Sequence, residues 1–190
     1  MKNFIRTNSK AVLFFLMCTI LCEEAFADNS AFAQVRIFNG TVITAWQGQN
    51  ASTSFSTIEG VIGSTSTDPT TWTRTTLSDS TQNVISSPVI ASNSNGDVIV
   101  VYEYFDTVNS LSLVAVAMLP SGTTTWNVTT VSDGNTFANN NDPRGAVDQS
   151  GNVIATWAAY NPSTNEQQVM CSTSTISATP TWSGPIKLSP

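Results

Sequence analysis

Three glycines set the period of this chain. Gly40 in FNGTVITAW, Gly96 in SNGDVIVVY and Gly151 in QSGNVIATW stand 56 and 55 residues apart. Each is followed by a Val-Ile pair (Val42-Ile43, Val98-Ile99, Val153-Ile154) and then, six residues after the glycine, by an aromatic: Trp46, Tyr102 or Trp157. A second column holds Trp72, Trp126 and Trp182, spaced 54 and 56. Each of these tryptophans leads to an aliphatic-serine pair, Leu77-Ser78, Val131-Ser132 or Leu188-Ser189. Pro88 and Pro143 form a third column, 55 residues apart. All five tryptophans fall in two columns, which marks about three copies of one structural unit.

Each copy predicts four short strands. The first runs up to the glycine (Ala33–Phe38, Val89–Ser92, Gly145–Asp148). The glycine steps themselves suit tight hairpins, where glycine supplies the positive φ that other residues resist. The second strand is the Val-Ile-x-x-aromatic segment. The third covers Phe55–Ile62, Leu111–Met118 and Gln168–Thr173, and the fourth starts at the second tryptophan column and ends at the aliphatic-serine pair. Near-continuous apolar strands such as Val98–Tyr102 and Leu113–Met118 predict sheets covered on both faces. No stretch after the N-terminus carries helical periodicity. The expected fold class is all-β and β-propeller-type, with about three four-stranded antiparallel blades in an incomplete ring. The units are expected at 28–80, 81–134 and 135–190.

The pattern P-x-x-A-x-x-x-x-G-[DN]-V-I-x-x-[WY], followed by W-x-x-P/V-x-x-L-S, resembles the repeats of bacterial exported β-propeller proteins. Pro143–Trp157 (PRGAVDQSGNVIATW) and Trp182–Ser189 (WSGPIKLS) carry it best, and the first copy departs from it with Phe32 in the proline column. The resemblance implies a fold, and such repeats host many functions.

The N-terminus adds a location. Lys2, Arg6 and Lys10 precede an apolar run from Ala11 to Cys22, and Ala25-Phe26-Ala27 offers small residues at the two positions a signal peptidase reads. Residues 1–27 are therefore expected to be a signal peptide cleaved after Ala27, which places the mature chain outside the cytoplasm or at the cell surface. Glu23 and Glu24 end the run short of the roughly 20 apolar residues that a membrane-spanning helix needs. The remainder keeps only Arg36, Arg74, Arg144 and Lys187 as cations, against a formal charge of −6 for the whole chain. Nucleic acid and anionic membrane surfaces both demand clustered Lys and Arg, so neither is an expected partner. Cys18 and Cys22 leave with the leader. Cys171 then stands alone, so no intrachain disulfide forms.

No catalytic, cofactor or metal residues are assigned. Arg36 and Arg144 sit on first strands and Arg74 on a fourth, so three arginines of the sialidase kind cannot grip one carboxylate, and that family's Asp-box is absent. Asp79 and Asp133 occupy equivalent positions after the serine, and Asp97 and Asp148 flank hairpin glycines; all four read as turn formers. The stretch Asp133–Asp142 is rich in oxygen donors but lacks the alternating spacing of a calcium loop. Cys171 falls on a third strand, and the sequence has no His to activate it. The aromatic columns read as core between blades rather than as sugar platforms.

Three blades are fewer than the four or more that close a ring. Either two chains complete one through their exposed blade faces, or the chain is a fragment of a longer propeller, and the fragment is the preferred expectation. The expected function is non-catalytic binding of a protein or glycan. The alternative is a glycan-processing enzyme of sialidase or glycosidase type, disfavoured because the first strands are poor in acids and bases.

Overall fold

The computed structural model describes residues 33–50, 52–134 and 136–189. The leader expected at residues 1–27 and the departure at Phe32 lie outside them. The described residues form thirteen strands and one 3-10 turn at Pro69–Thr71, with no α-helix and so no helix long and apolar enough to cross a membrane.

The strands make three antiparallel sheets of consecutive segments. The first contains β1 (Gln34–Phe38), β2 (Thr41–Gln49), β3 (Ser56–Ser64) and β4 (Thr73–Thr76), in the order β1-β2-β3-β4. The second contains β5 (Gln82–Val84), β6 (Val89–Ser92), β7 (Val98–Asp106), β8 (Leu111–Leu119) and β9 (Asn127–Thr130). Both β5 and β6 pair with β7, so together they occupy one edge position, followed by β8 and β9. The third contains β10 (Ala138–Val147), β11 (Asn152–Asn161), β12 (Glu166–Thr175) and β13 (Ile186–Lys187), again in sequence order.

Local chemistry explains the turns. Asn39 and Gly40 both take left-handed φ values, 43° and 79°, as a two-residue type I′ hairpin requires. Gly96 and Gly151 also have positive φ, and there a side chain closes the turn. The Asn93 carboxamide oxygen accepts from the Asn95 and Asp97 amides, and the Asp148 carboxylate from those of Ser150 and Asn152. Neighbouring turns are tied together as well, because Asn93 Nδ2 donates to the Asp148 carbonyl at 2.8 Å and Asn95 Nδ2 to that of Gln149 at 2.6 Å.

The aliphatic-serine column also has a structural reason. Leu77, Val131 and Leu188 donate their amides to the carbonyls of Ile58, Val114 and Val169. One residue further on, the hydroxyls of Ser78, Ser132 and Ser189 accept the amides of those same three residues. The hydroxyl takes the place of a backbone acceptor, so the chain leaves the sheet without orphaning an amide.

Alternation along the strands sends side chains to opposite faces, and the second sheet buries both. One face packs on the first sheet through Val98, Val100, Tyr102 and Ala115 against Ile43, Ala45, Ile58 and Leu77. The other packs on the third through Ile99, Val101, Val114 and Val116 against Val153, Ala155, Trp157 and Met170. Below, the side of each sheet that faces its C-terminal neighbour is its forward face, and the other its rear face. Trp126 packs against the first of these cores and Trp182 against the second.

The sequence reading placed most strands well, with three differences. β10 begins at Ala138, well before Gly145, and carries register shifts against β11 on both sides of Asn141. An extra segment, β5, precedes Pro88. The fourth strands are short, down to two residues in β13. The prolines account for the first two differences, since proline has no amide to give a ladder. Pairing with β7 is interrupted just before Pro88, and β10 bulges at Asp142-Pro143 with left-handed φ at Asn139 and Asp142.

The polar ends of the buried aromatics differ, and this yields a test. Trp157 Nε1 donates to the Oδ1 of fully buried Asn140 at 2.9 Å, whose Nδ2 donates to the carbonyls of Ser112 and Phe137. Trp126 Nε1 is buried with no acceptor among the described residues. Trp157→Phe loses volume and strands the Asn140 oxygen, and is expected to cost about 2–4 kcal/mol. Trp126→Phe discards an unpaired donor and is expected to cost about 1 kcal/mol or less. Urea denaturation of the two variants checks the order.

Candidate functional site

Gln34 and Arg36 on β1 reach across to the same residue on β6. Gln34 Oε1 accepts from the Ile90 amide at 2.8 Å, and Arg36 Nη2 donates to the Ile90 carbonyl at 2.9 Å. These bonds fix the first strand of one sheet against that of the next. β6 also lies against β10. The first strands therefore gather, and the interruptions at the two prolines leave a cleft among them.

The cleft has a volume of about 490 Å³ and is lined by Gln34, Ser86, Ser87, Pro88, Val89, Asp142, Pro143 and Arg144. Its polar wall holds amide, hydroxyl, carboxylate and guanidinium groups within one concavity. Arg144 Nη1 is braced by donating to the Pro143 carbonyl at 2.8 Å. Ser86 Oγ accepts from the Glu103 amide at 3.1 Å, substituting for the missing ladder acceptor.

Behind this wall sits Glu103, half-buried within β7. Burial raises its carboxyl above the ordinary glutamate value. The Ser112 hydroxyl, donating at 3.3 Å, opposes that rise, the charge on Asp142 adds to it, and the Asp142 amide opposes it. Glu103 was not singled out in the sequence, because its only signal would have been an acid in the middle of an apolar strand run. Asp142 was noted only as the end of an oxygen-rich stretch. The structure separates the ends of that stretch: Asp133 accepts from the Thr136 hydroxyl in a turn, while Asp142 lines the cleft.

The remaining sequence candidates take other places. Arg74 on β4 is far in sheet order from Arg36 and Arg144. It pairs with buried Glu59 at 3.2 Å and lies over the Trp46 ring, 5.5 Å from its centroid. Asp79 accepts the Thr81 amide and hydroxyl, and Asp148 the Asn152 side-chain amide together with the backbone amides of its own turn, which holds both carboxyls below the usual range. Asp97 accepts from the Ser121 amide and from Asn93 Nδ2. Cys171 is buried. No group of three or more metal-binding side chains gathers among the described residues.

Glu103 gives the site a pH signature. The folded chain holds the Glu103 proton more tightly than the unfolded chain does. Stability therefore falls as pH rises through the window that opens at the ordinary glutamate value, about 4.3, and closes at the raised one. Glu103→Gln is expected to raise the melting temperature at pH 7 and to lose that advantage below about pH 4. Thermal melts of both proteins across this range check it.

No family model matches the chain, and no curated protein matches it in sequence.

Proposed function

We propose that the chain is an exported β-propeller-type module that binds a protein loop or a glycan, without catalysis, in the cleft where its first strands meet. Three observations support the propeller reading. Each sheet is a four-position meander, the sheets stack face to face, and their first strands lie on one side of the stack. The observation that carries the ligand reading is the mixed lining of the cleft. Gln34, Ser86, Ser87, Asp142 and Arg144 offer both donors and acceptors between two proline rings, which matches hydroxyl-bearing or peptide groups better than an apolar ligand.

One observation favours a second reading, a glycan-processing enzyme. Glu103 and Asp142 form a neighbouring carboxyl pair in which one member is held toward its protonated form, a feature shared with acid–base sites. Against it, Glu103 has its carboxyl engaged by Ser112 and by the Asp142 amide, and so is tied into the wall of the cleft.

A glycan array and a peptide-display screen, run beside a glycoside-hydrolysis screen, separate the readings. The expected result is ligand retention that Arg144→Ala lowers at least tenfold, with no turnover. Hydrolysis abolished by Glu103→Gln or Asp142→Asn would transfer the site to the enzyme reading.

A further inference from the structure

The two ends of the three-sheet stack are built differently. Three columns of forward-facing aliphatics run through the sheets. Leu77 and Val131 are 4% and 5% exposed, but their counterpart Leu188 is 54% exposed. Ile58 and Val114 are fully buried, and Val169 is 45% exposed. Ile43 and Ile99 are likewise buried, and Ile154 is 37% exposed. Ile186, beside Cys171 in the ladder, adds a fourth apolar side chain to this surface, 51% exposed. The strand that pairs Ile154 with Thr173 also borders an open groove of about 660 Å³. In the other sheets the same position pairs Ile43 with Ile62 and Ile99 with Met118, within or against the two cores on which Trp126 and Trp182 pack.

The rear face of the first sheet departs from the same pattern in the opposite sense. Opposite Trp46 stands Glu59, where the other two sheets place Ala115 opposite Tyr102 and Met170 opposite Trp157. Glu59 is held by Arg74, Thr57 and Thr76, with Arg74 over the Trp46 ring. Closing a ring from two copies would press the forward face of a third sheet onto this ion pair, and stripping water from a charge pair opposes such contact.

From this we infer that the forward face of the third sheet is a self-association surface, on which the same face of a second copy sits about a two-fold axis. The centre of the face suits a second copy of itself because Ile154, Thr156, Val169, Ile186 and Leu188 carry no charge, and the one cation on that side among the described residues, Arg144 opposite Thr156, stands at its β10 border. It continues the columns that form both internal interfaces. An isologous contact pairs this face with itself, so it joins two copies and does not propagate further. From strand spacing and rise, the face measures about 30 Å by about 14 Å. Two such faces bury less than a stable specific interface does, the size of weak and transient contacts, so the dimer is expected to be weak, with a dissociation constant of micromolar order or above. The inference goes beyond the ligand reading and does not rest on it.

Sedimentation velocity of the purified chain from about 1 to about 200 µM tests it. The expected result is a concentration-dependent shift from one copy to two. Val169→Lys and Ile186→Lys, at positions already open to solvent, should each weaken it at least tenfold with tryptophan emission unchanged. A monomer throughout, an open ladder of larger species, or a dimer that survives both lysine substitutions would overturn the inference.

Discussion

Everything else in this structure depends on burying both faces of the second sheet. β7 and β8 carry apolar residues at nearly every position, from Val98 to Tyr102 and from Leu113 to Leu119. Such strands are insoluble alone and marginal with only one face covered. The first and third sheets supply the two covers. Each of them, in turn, is anchored through the face it turns to the middle. The stack is thus one cooperative object rather than three independent ones, and the side-chain bonds from Gln34 and Arg36 to Ile90, and from Asn93 to Asp148, lie at the seams between its parts.

Much of this was legible in the sequence because the columns record the same physical task performed three times. The glycines mark positive φ, the Val-Ile pairs mark strands with two buried faces, and the aliphatic-serine pairs mark the exit from each sheet. The misplacements occur where a side chain overrides the strand pattern. Pro143 bulges β10 and lets it begin earlier than hydrophobic alternation indicates, and the break before Pro88 hides β5 from a reading tuned to runs of five residues. The shortness of the fourth strands escaped notice because Trp72, Trp126 and Trp182 look like strand starters. They serve instead as lids over the faces of their sheets.

The cleft was less legible than the fold. Its residues come from segments of all three sheets, and no spacing in the sequence brings Gln34, Ser86 and Arg144 together. The proline column was visible, but its consequence was not: two adjacent first strands lose ladder bonds at the same level and leave room between them. Arg36 illustrates the converse. As an isolated surface cation it carried no message, and in the structure its guanidinium is spent on holding two sheets together.

The serine hydroxyls at the sheet exits have a consequence for how such a chain behaves when crowded. By accepting the last amide they allow the outermost strands to be only four, four and two residues long. A short outer strand presents few free donors and acceptors in a row, and so makes a poor template for adding a foreign strand. Sticking edge to edge, the route that leads β proteins toward fibres, is thereby starved of backbone. What contact the molecule makes with its own kind must be made broadside, through side chains.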